Sequence, residues 1–141
     1  MKVLRHGFTV PLARDATWEL FTATGERRWA PGWDPHFPGG GDDRTPGTVF
    51  VTTHGTLDTT WVVTACLPGE RMAYARVSSE GTAGTVEVTC HPAAPDATRV
   101  TVTYRLTALN AEGQHHLTRF SKTFDHEIDG WRAAIVALSP G

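Results

Sequence analysis

The stretch FSKTFDHEIDGWRAAIVAL, residues 120–138, decides the fold, because its apolar residues recur every three or four positions. That spacing matches the turn of an α-helix and predicts one long amphipathic helix. Asn110 is its predicted N-cap. Gly130 costs the helix about 1 kcal/mol relative to alanine, which is tolerable where a neighbour packs close to it. The apolar stripe comprises Leu117, Phe120, Phe124, Ile128, Trp131, Ile135 and Leu138.

Segments with a two-residue apolar period precede this helix and predict β-strands. We place the strands at residues 3–10, 48–54, 57–66, 71–78, 85–91 and 98–106. Residues 13–24 have helical spacing and end at Gly25, in the position of a left-handed C-terminal residue. A short helix at 26–30 is stopped by Pro31. The order β-α-α-β-β-β-β-β-α predicts a single α+β domain over residues 1–141, with an antiparallel sheet whose one face is covered by the long helix.

The turn at Gly55 and Thr56 indicates which side chains share a face of the sheet. A glycine-first two-residue loop is typical of a type II′ hairpin, and it places Phe50 opposite Trp61. The same counting continues across the next turn, at residues 67–70. It gives three further pairs: Trp61 with Arg76, Val63 with Tyr74, and Ala65 with Met72.

The inner face predicted in this way is not uniformly apolar. It carries aromatic residues, but also Arg76, His54 and His6. An arginine and two histidines are rarely buried without partners, because each unpaired polar group costs several kcal/mol. We therefore expect a wet or ligand-filled cavity rather than a sealed core.

The composition argues against several classes of protein. Thirteen basic and fifteen acidic residues, without clustering, disfavour a nucleic-acid partner. No segment approaches the run of about 18 apolar residues that a membrane span requires. The N-terminus lacks the features of a secretory signal, which predicts a cytoplasmic location. Cys66 and Cys90 lack CxxC spacing and are expected as free thiols.

Besides the order of the elements, three motifs resemble the START/SRPBCC superfamily, the helix-grip fold of the birch pollen allergen. They are PGTVF (46–50), TTWVVTACLPGERMAYARV (59–77) and the helical stretch quoted above. The resemblance extends over the whole chain and is to the polyketide-cyclase and lipid-transport branch. It implies a curved sheet of about six antiparallel strands around the long helix, with a deep apolar cavity between them. Members bind lipids, sterols, polyketides or plant hormones, and some are aromatases or cyclases.

The residues predicted to line the cavity are mostly aromatic, since aromatic side chains combine large apolar areas with a few polar tips. As ligand contacts we predict Trp29, Trp33, Phe50, Trp61, Tyr74, Arg76, Tyr104, Phe120 and Phe124. Plain core packing is the alternative for each of them. Candidates for catalysis are Arg76, His54, His6 and Tyr74; the alternative for Arg76 is an ion pair at the rim, and for the histidines a backbone cap.

No metal or other cofactor is predicted. The polar residues of the long helix lack HExxH spacing and are expected on its solvated face. They are His115, His116, Asp125, His126, Glu127 and Asp129.

Three functions remain open at this point. The first is a non-catalytic carrier or sensor of a small hydrophobic molecule, such as a lipid, a polyketide or an aromatic compound. The second is an enzyme of the polyketide cyclase, aromatase or dehydratase kind that uses the polar cavity residues. The third is a protein-interaction module that presents Trp29 and Trp33 to a partner. If the segment is instead a lid or wall of the cavity, we expect Trp29 in the core and Trp33 at the ligand. A homodimer is compatible with all three.

Overall fold

The computed structural model describes residues 1–138 and contains all the predicted elements in the predicted order. Three C-terminal residues of the predicted domain lie outside the described part. The helical elements are α1 (Arg14–Glu19), a 3-10 turn (Gly25–Arg28) and α2 (Ala111–Val136). The strands are β1 (Lys2–Val10), β2 (Val49–His54), β3 (Leu57–Leu67), β4 (Arg71–Ser78), β5 (Thr82–Ala94) and β6 (Ala97–Ala108).

The six strands form one antiparallel sheet in the order β1-β6-β5-β4-β3-β2. The curved sheet carries α2 on its inner face, where the apolar stripe of the helix packs against the buried residues of the strands. Asn110 caps α2 as predicted, and its side chain accepts a hydrogen bond from the backbone N–H of Gly113 (2.8 Å). The predicted α+β helix-grip architecture is confirmed.

The register follows the hairpin counting through most of the sheet. Phe50 pairs with Trp61, and Gly55 has φ +64°, as the first loop residue of a type II′ turn requires. Trp61 faces Arg76 and Val63 faces Tyr74, also as predicted. The predicted pair of Ala65 with Met72 is wrong. A β-bulge between Val63 and Ala65 shifts the pairing by one residue, so Met72 lies opposite Cys66.

Two glycines have roles other than the predicted ones. Gly25 does not adopt a positive φ; it is needed for close approach, because a Cβ there would lie 1.8 Å from the carbonyl oxygen of Glu19. The first helix accordingly ends at Glu19 rather than near residue 24. Gly130 has no neighbour within 4 Å of a Cβ placed on it, so close packing does not explain its position in α2.

No helix in the described part of the chain is both long and apolar enough to cross a membrane.

Candidate functional site

A cavity of about 240 Å³ lies between the sheet and α2. Its walls come from the segment after α1, from strands β2 to β6 and from α2, so every layer of the fold contributes to it. The lining residues are Glu26, Trp29, Ala30, Trp33, Phe50, Thr59, Trp61, Tyr74, Arg76, Val86, Val88, Tyr104, Phe120 and Trp131.

Aromatic rings form most of one wall. Phe50 and Trp61, paired across β2 and β3, stack with their ring centroids 5.8 Å apart and their planes nearly parallel. Trp33 meets the Trp61 ring edge-on at 5.7 Å. Tyr74 meets the same ring edge-on at 6.0 Å. The contacts among these rings fix the shape of the wall and leave ring faces and edges for a flat apolar molecule.

The segment after α1 holds two indoles over the cavity. The indole N–H of Trp29 donates to the carbonyl oxygen of Leu20, and that of Trp33 donates to the carbonyl oxygen of Ala23, both at 2.7 Å. Gly32, with φ +72°, gives the left-handed backbone that turns the chain back after Pro31. Trp29 is buried and Trp33 is half-buried. Trp29 belongs to the core, as expected, although it also lines the cavity, and the ligand contact expected of Trp33 stays a prediction.

Arg76 reaches the cavity from β4 and is paired inside the protein. Its guanidinium donates to Glu80 at 3.1 Å, and the side chains of the two residues are only 10% and 8% exposed. The guanidinium also lies 5.5 Å from the centre of the Trp61 ring. Its Nε–H is the only buried side-chain nitrogen or oxygen without a hydrogen-bond partner among residues 1–138. The predicted alternative of a pair with a surface carboxylate is therefore wrong, because the partner is buried.

Glu80 is held as an anion by its neighbours. Burial alone raises the pKa of its carboxyl, but hydrogen bonds from Ser78 and Thr82 and the charge of Arg76 together outweigh burial, so the pKa lies below its ordinary value. His116 on α2 approaches the same carboxylate, with 3.5 Å between Nε2 and Oε1. Arg76, Glu80 and His116 therefore form a cluster that extends from the cavity lining to α2.

Glu26 is the polar lining residue that the sequence did not reveal. It lies in the 3-10 turn, is half-buried and lines the cavity. No hydrogen bond to its carboxyl is found among the described residues, and burial raises the pKa of this carboxyl well above its ordinary value. In the sequence it is one acidic residue before two arginines, which is typical of a solvated turn.

Two phenols also face the cavity. The hydroxyl of Tyr74 donates to the backbone carbonyl of Phe21 at 2.8 Å, which ties β4 to the segment after α1. Tyr104 packs against Phe120 and Phe124 of α2, and its ring centroid lies 5.5 Å from the centroid of each phenyl ring. Burial raises the pKa of both tyrosines, so both phenols remain protonated near neutral pH.

Eight of the nine predicted ligand contacts line the cavity. Phe124 does not line it; it is fully buried behind Tyr104, in the core between α2 and the sheet. The lining also includes Trp131, which the helical stripe contains but which was not predicted as a ligand contact.

Of the four candidates for catalysis, Arg76 and Tyr74 line the cavity, and the two histidines do not. His54 is exposed, because it stands at the end of the edge strand β2, at the hairpin turn. His6 is on the inner face as predicted but lies under α2, where its Nε2 is 2.8 Å from Asp129 and its Nδ1 is 3.6 Å from Asp125. These carboxylates, rather than a backbone cap, are its partners.

No group of three or more ligating side chains suited to a metal ion is found in residues 1–138.

Comparisons with known proteins support the fold through structure and not through sequence. No protein-family model matches the chain, and no curated protein matches it either. Many solved structures match over most of its length. One is a protein of Nitrosospira multiformis, with a TM-score of 0.73 and 14% identity over 96% of this chain and 94% of the other.

Two other matches have names that refer to biosynthesis. Norcoclaurine synthase from Thalictrum flavum, solved with dopamine and hydroxybenzaldehyde, has a TM-score of 0.68 and 12% identity, covering 99% of this chain and 89% of its own. DynU16, a protein from the dynemicin biosynthetic locus, has a TM-score of 0.69 and 17% identity over 96% of this chain. The match covers 47% of DynU16, so this chain spans about half of its length. The six-stranded sheet, the long C-terminal helix and these structural neighbours together show that the chain has the helix-grip fold.

Proposed function

We propose that the protein binds a small, largely aromatic molecule in the cavity between the sheet and α2. The observation that carries the proposal is the lining itself. Eleven of its fourteen residues are aromatic or aliphatic, and four of them are tryptophans: Trp29, Trp33, Trp61 and Trp131. Such a surface favours a flat apolar ligand, and its few polar groups can fix the orientation of that ligand.

The size of the cavity narrows the ligand class. At about 240 Å³ it is slightly smaller than the roughly 300–1,000 Å³ of most small-molecule pockets. A molecule with one or two rings fits this volume better than a long-chain lipid or a multi-ring polyketide. Norcoclaurine synthase, which shares the fold, was solved with two single-ring molecules, and this supports the same scale of ligand here.

The tryptophans provide a direct test. Four of the five tryptophans of the chain line the cavity, so a bound aromatic molecule should change the intrinsic fluorescence. We expect saturable titrations with single-ring compounds such as 2-phenylethanol. Val88→Phe, which fills the cavity from β5, should abolish them, whereas Val77→Phe, at an exposed position of β4, should not. If no compound of this size binds, or if Val88→Phe binds as well as the unsubstituted protein, the proposal is wrong.

The acid Glu26 in the cavity lining favours a second candidate, an enzyme of the cyclase kind. A carboxyl whose pKa is raised by burial can exchange a proton with a substrate near neutral pH. Glu26 would then replace the two histidines in the acid–base role, with Arg76 and Tyr104 as neighbours of the substrate. Turnover of a small polyketide-like substrate that is lost in Glu26→Gln and retained in His54→Ala would favour this function. Turnover that survives Glu26→Gln would exclude the role of Glu26.

A cytoplasmic location and a homodimer stay predictions, which fractionation of the host cell and sedimentation of the purified protein would test.

A further inference from the structure

The unpaired carboxyl of Glu26 indicates more about the ligand than its size. This carboxyl borders the cavity and accepts no hydrogen bond from the described residues. Glu26 is half-buried, and a carboxyl withdrawn from bulk water without a partner is costly to ionise; a ligand that supplies the missing donor removes this cost. The site is therefore incomplete until something pairs with Glu26.

The charges around the cavity indicate what that partner is. Arg76 is the one basic residue in the lining, and the buried Glu80 already neutralises it. Within residues 1–138, Glu26 has no such counter-ion. When Glu26 is ionised, Arg76, Glu80 and Glu26 together carry one negative charge in excess. A cation balances the site, whereas an anionic ligand would have to compete with Glu80 for Arg76 and would also face Glu26.

The aromatic rings favour the same charge. Trp29, Trp33 and Trp61 all line the cavity, and each has its indole N–H engaged elsewhere in the protein. For Trp61 the acceptor is the hydroxyl oxygen of Thr52 (2.9 Å). These N–H groups are therefore not available to bind an anion. The faces of the rings carry the negative side of the aromatic quadrupole, which attracts ammonium groups.

We infer that the cavity selects a small aromatic amine, bound as its ammonium ion, with the cationic nitrogen at Glu26 and the ring among the tryptophans. The inference rests on the proposed function, because it names the chemical class of the molecule that the same cavity binds. It assigns Glu26 as the residue that determines specificity. Arg76 keeps its internal partner Glu80 in the complex.

Binding of the ammonium ion should release a proton. The lining also contains Arg76, which is paired with Glu80, and the two tyrosines Tyr74 and Tyr104. Burial raises the pKa of both tyrosines, so their phenols keep their protons near neutral pH. Asp43, close to the same segment, is occupied by the N–H and hydroxyl of Thr24. Burial raises the pKa of the Glu26 carboxyl in the empty site, and an ammonium ion beside it favours the ionised form, so each bound amine should displace up to one proton to the buffer.

The test compares three probes of nearly equal size: 2-phenylethylamine, 2-phenylethanol and phenylacetate. Fluorescence titration and calorimetry would be run on the unsubstituted protein and on Glu26→Gln, which keeps the shape of the side chain and removes its charge. We expect the amine to bind at least about tenfold more tightly than the alcohol, because a desolvated cation–π contact alone contributes about this much. Phenylacetate should bind most weakly. In Glu26→Gln the amine should lose this advantage over the alcohol.

Calorimetry in two buffers of different ionisation enthalpy gives an independent readout. Amine binding should release protons and alcohol binding should release none, and the release should disappear in Glu26→Gln. A thermal melt of the variant confirms that it is folded. If the alcohol binds and the amine has no advantage, or if the advantage survives Glu26→Gln, the inference is overturned while the proposed function stands. If none of the three probes binds, the proposed function fails as well.

Discussion

Arg76 and Glu80 form a buried ion pair directly beside the cavity, with 3.1 Å between a guanidinium nitrogen and a carboxylate oxygen. The pair joins the end of β4 to the turn that leads into β5. It holds the guanidinium near the Trp61 ring and so keeps one end of the cavity in a fixed shape. Because both charges are withdrawn from water, the two side chains depend on each other far more than partners in an exposed pair do.

The first prediction concerns this pair. Glu80→Ala leaves the charge of Arg76 buried without a counter-ion, and we expect the free energy of unfolding to fall by about 3–5 kcal/mol. Chemical denaturation at pH 7 measures this change. The matched control is Glu87→Ala, which removes the partner of the more exposed Arg71 and should cost only about 0.2–1 kcal/mol. Equal losses of unfolding free energy in the two variants would show that burial does not make the Arg76–Glu80 pair more stabilising than the exposed pair.

The stabilisation that Glu80 contributes to this pair also depends on pH. The pKa of Glu80 is lowered in the folded protein, so the folded state releases this proton more readily than the unfolded state does. The stabilisation from Glu80 is therefore fully present above the ordinary carboxyl pKa of 4.5 and is lost as the pH falls through the lowered value. The difference in stability between the unsubstituted protein and Glu80→Ala should shrink below pH 4.

The second prediction compares two glycines of α2, at which substitution by alanine should change the stability in opposite directions. At Gly113 a Cβ would lie 1.9 Å from the carbonyl oxygen of Gly81, so Gly113→Ala should destabilise the protein by about 1–3 kcal/mol. At Gly130 such a Cβ would meet no atom of the described residues within 4 Å apart from the backbone of its own helix, so Gly130→Ala should stabilise the helix by about 0.5–1 kcal/mol. Denaturation curves of both variants check the signs. A destabilised Gly130→Ala would indicate a neighbour that the described residues do not show.

The sequence predicted the sheet better than the site, and particular residues explain the difference. Strand alternation and the Gly55 turn were enough to bring Phe50, Trp61 and Arg76 onto one face. The bulge after Val63 was not predictable in this way, because hairpin counting assumes that no residue is inserted into a strand.

The polar residues of the site depend on packing between distant segments, which local patterns do not contain. Glu80 follows β4 and folds back on Arg76 only because the turn before β5 is tight. Glu26 lies in a turn of 3-10 helix, where no clear periodicity assigns it a face. His54 was assigned to the correct face, but α2 does not extend over the end of the edge strand on which it stands.

The third prediction separates the roles of two tryptophans. Trp29 is buried, and Trp29→Ala should lower the free energy of unfolding by about 3–5 kcal/mol. Trp33 is half-buried, so Trp33→Ala should cost less than about 3 kcal/mol while it weakens the binding of 2-phenylethanol. Denaturation and fluorescence titration of each variant measure the two effects separately. If Trp33→Ala is the more destabilising change and binds the alcohol normally, Trp33 has a structural role only.

The last prediction uses the sign of the Glu26 pKa shift, which is opposite to that of Glu80. The unfolded chain releases the Glu26 proton near pH 4.5, whereas burial makes the folded protein keep it to higher pH. The contribution of Glu26 to stability therefore falls as the pH rises from 4.5 towards the raised pKa, and it stays unfavourable above that value. Glu26→Gln removes this penalty, so the variant should be more stable than the unsubstituted protein at pH 8 and nearly equal to it at pH 4. Thermal melts across this range measure the difference, with Glu127→Gln on the exposed face of α2 as the control that should show no such trend. A difference that does not change with pH would mean that the Glu26 carboxyl is solvated and ionised in the empty cavity.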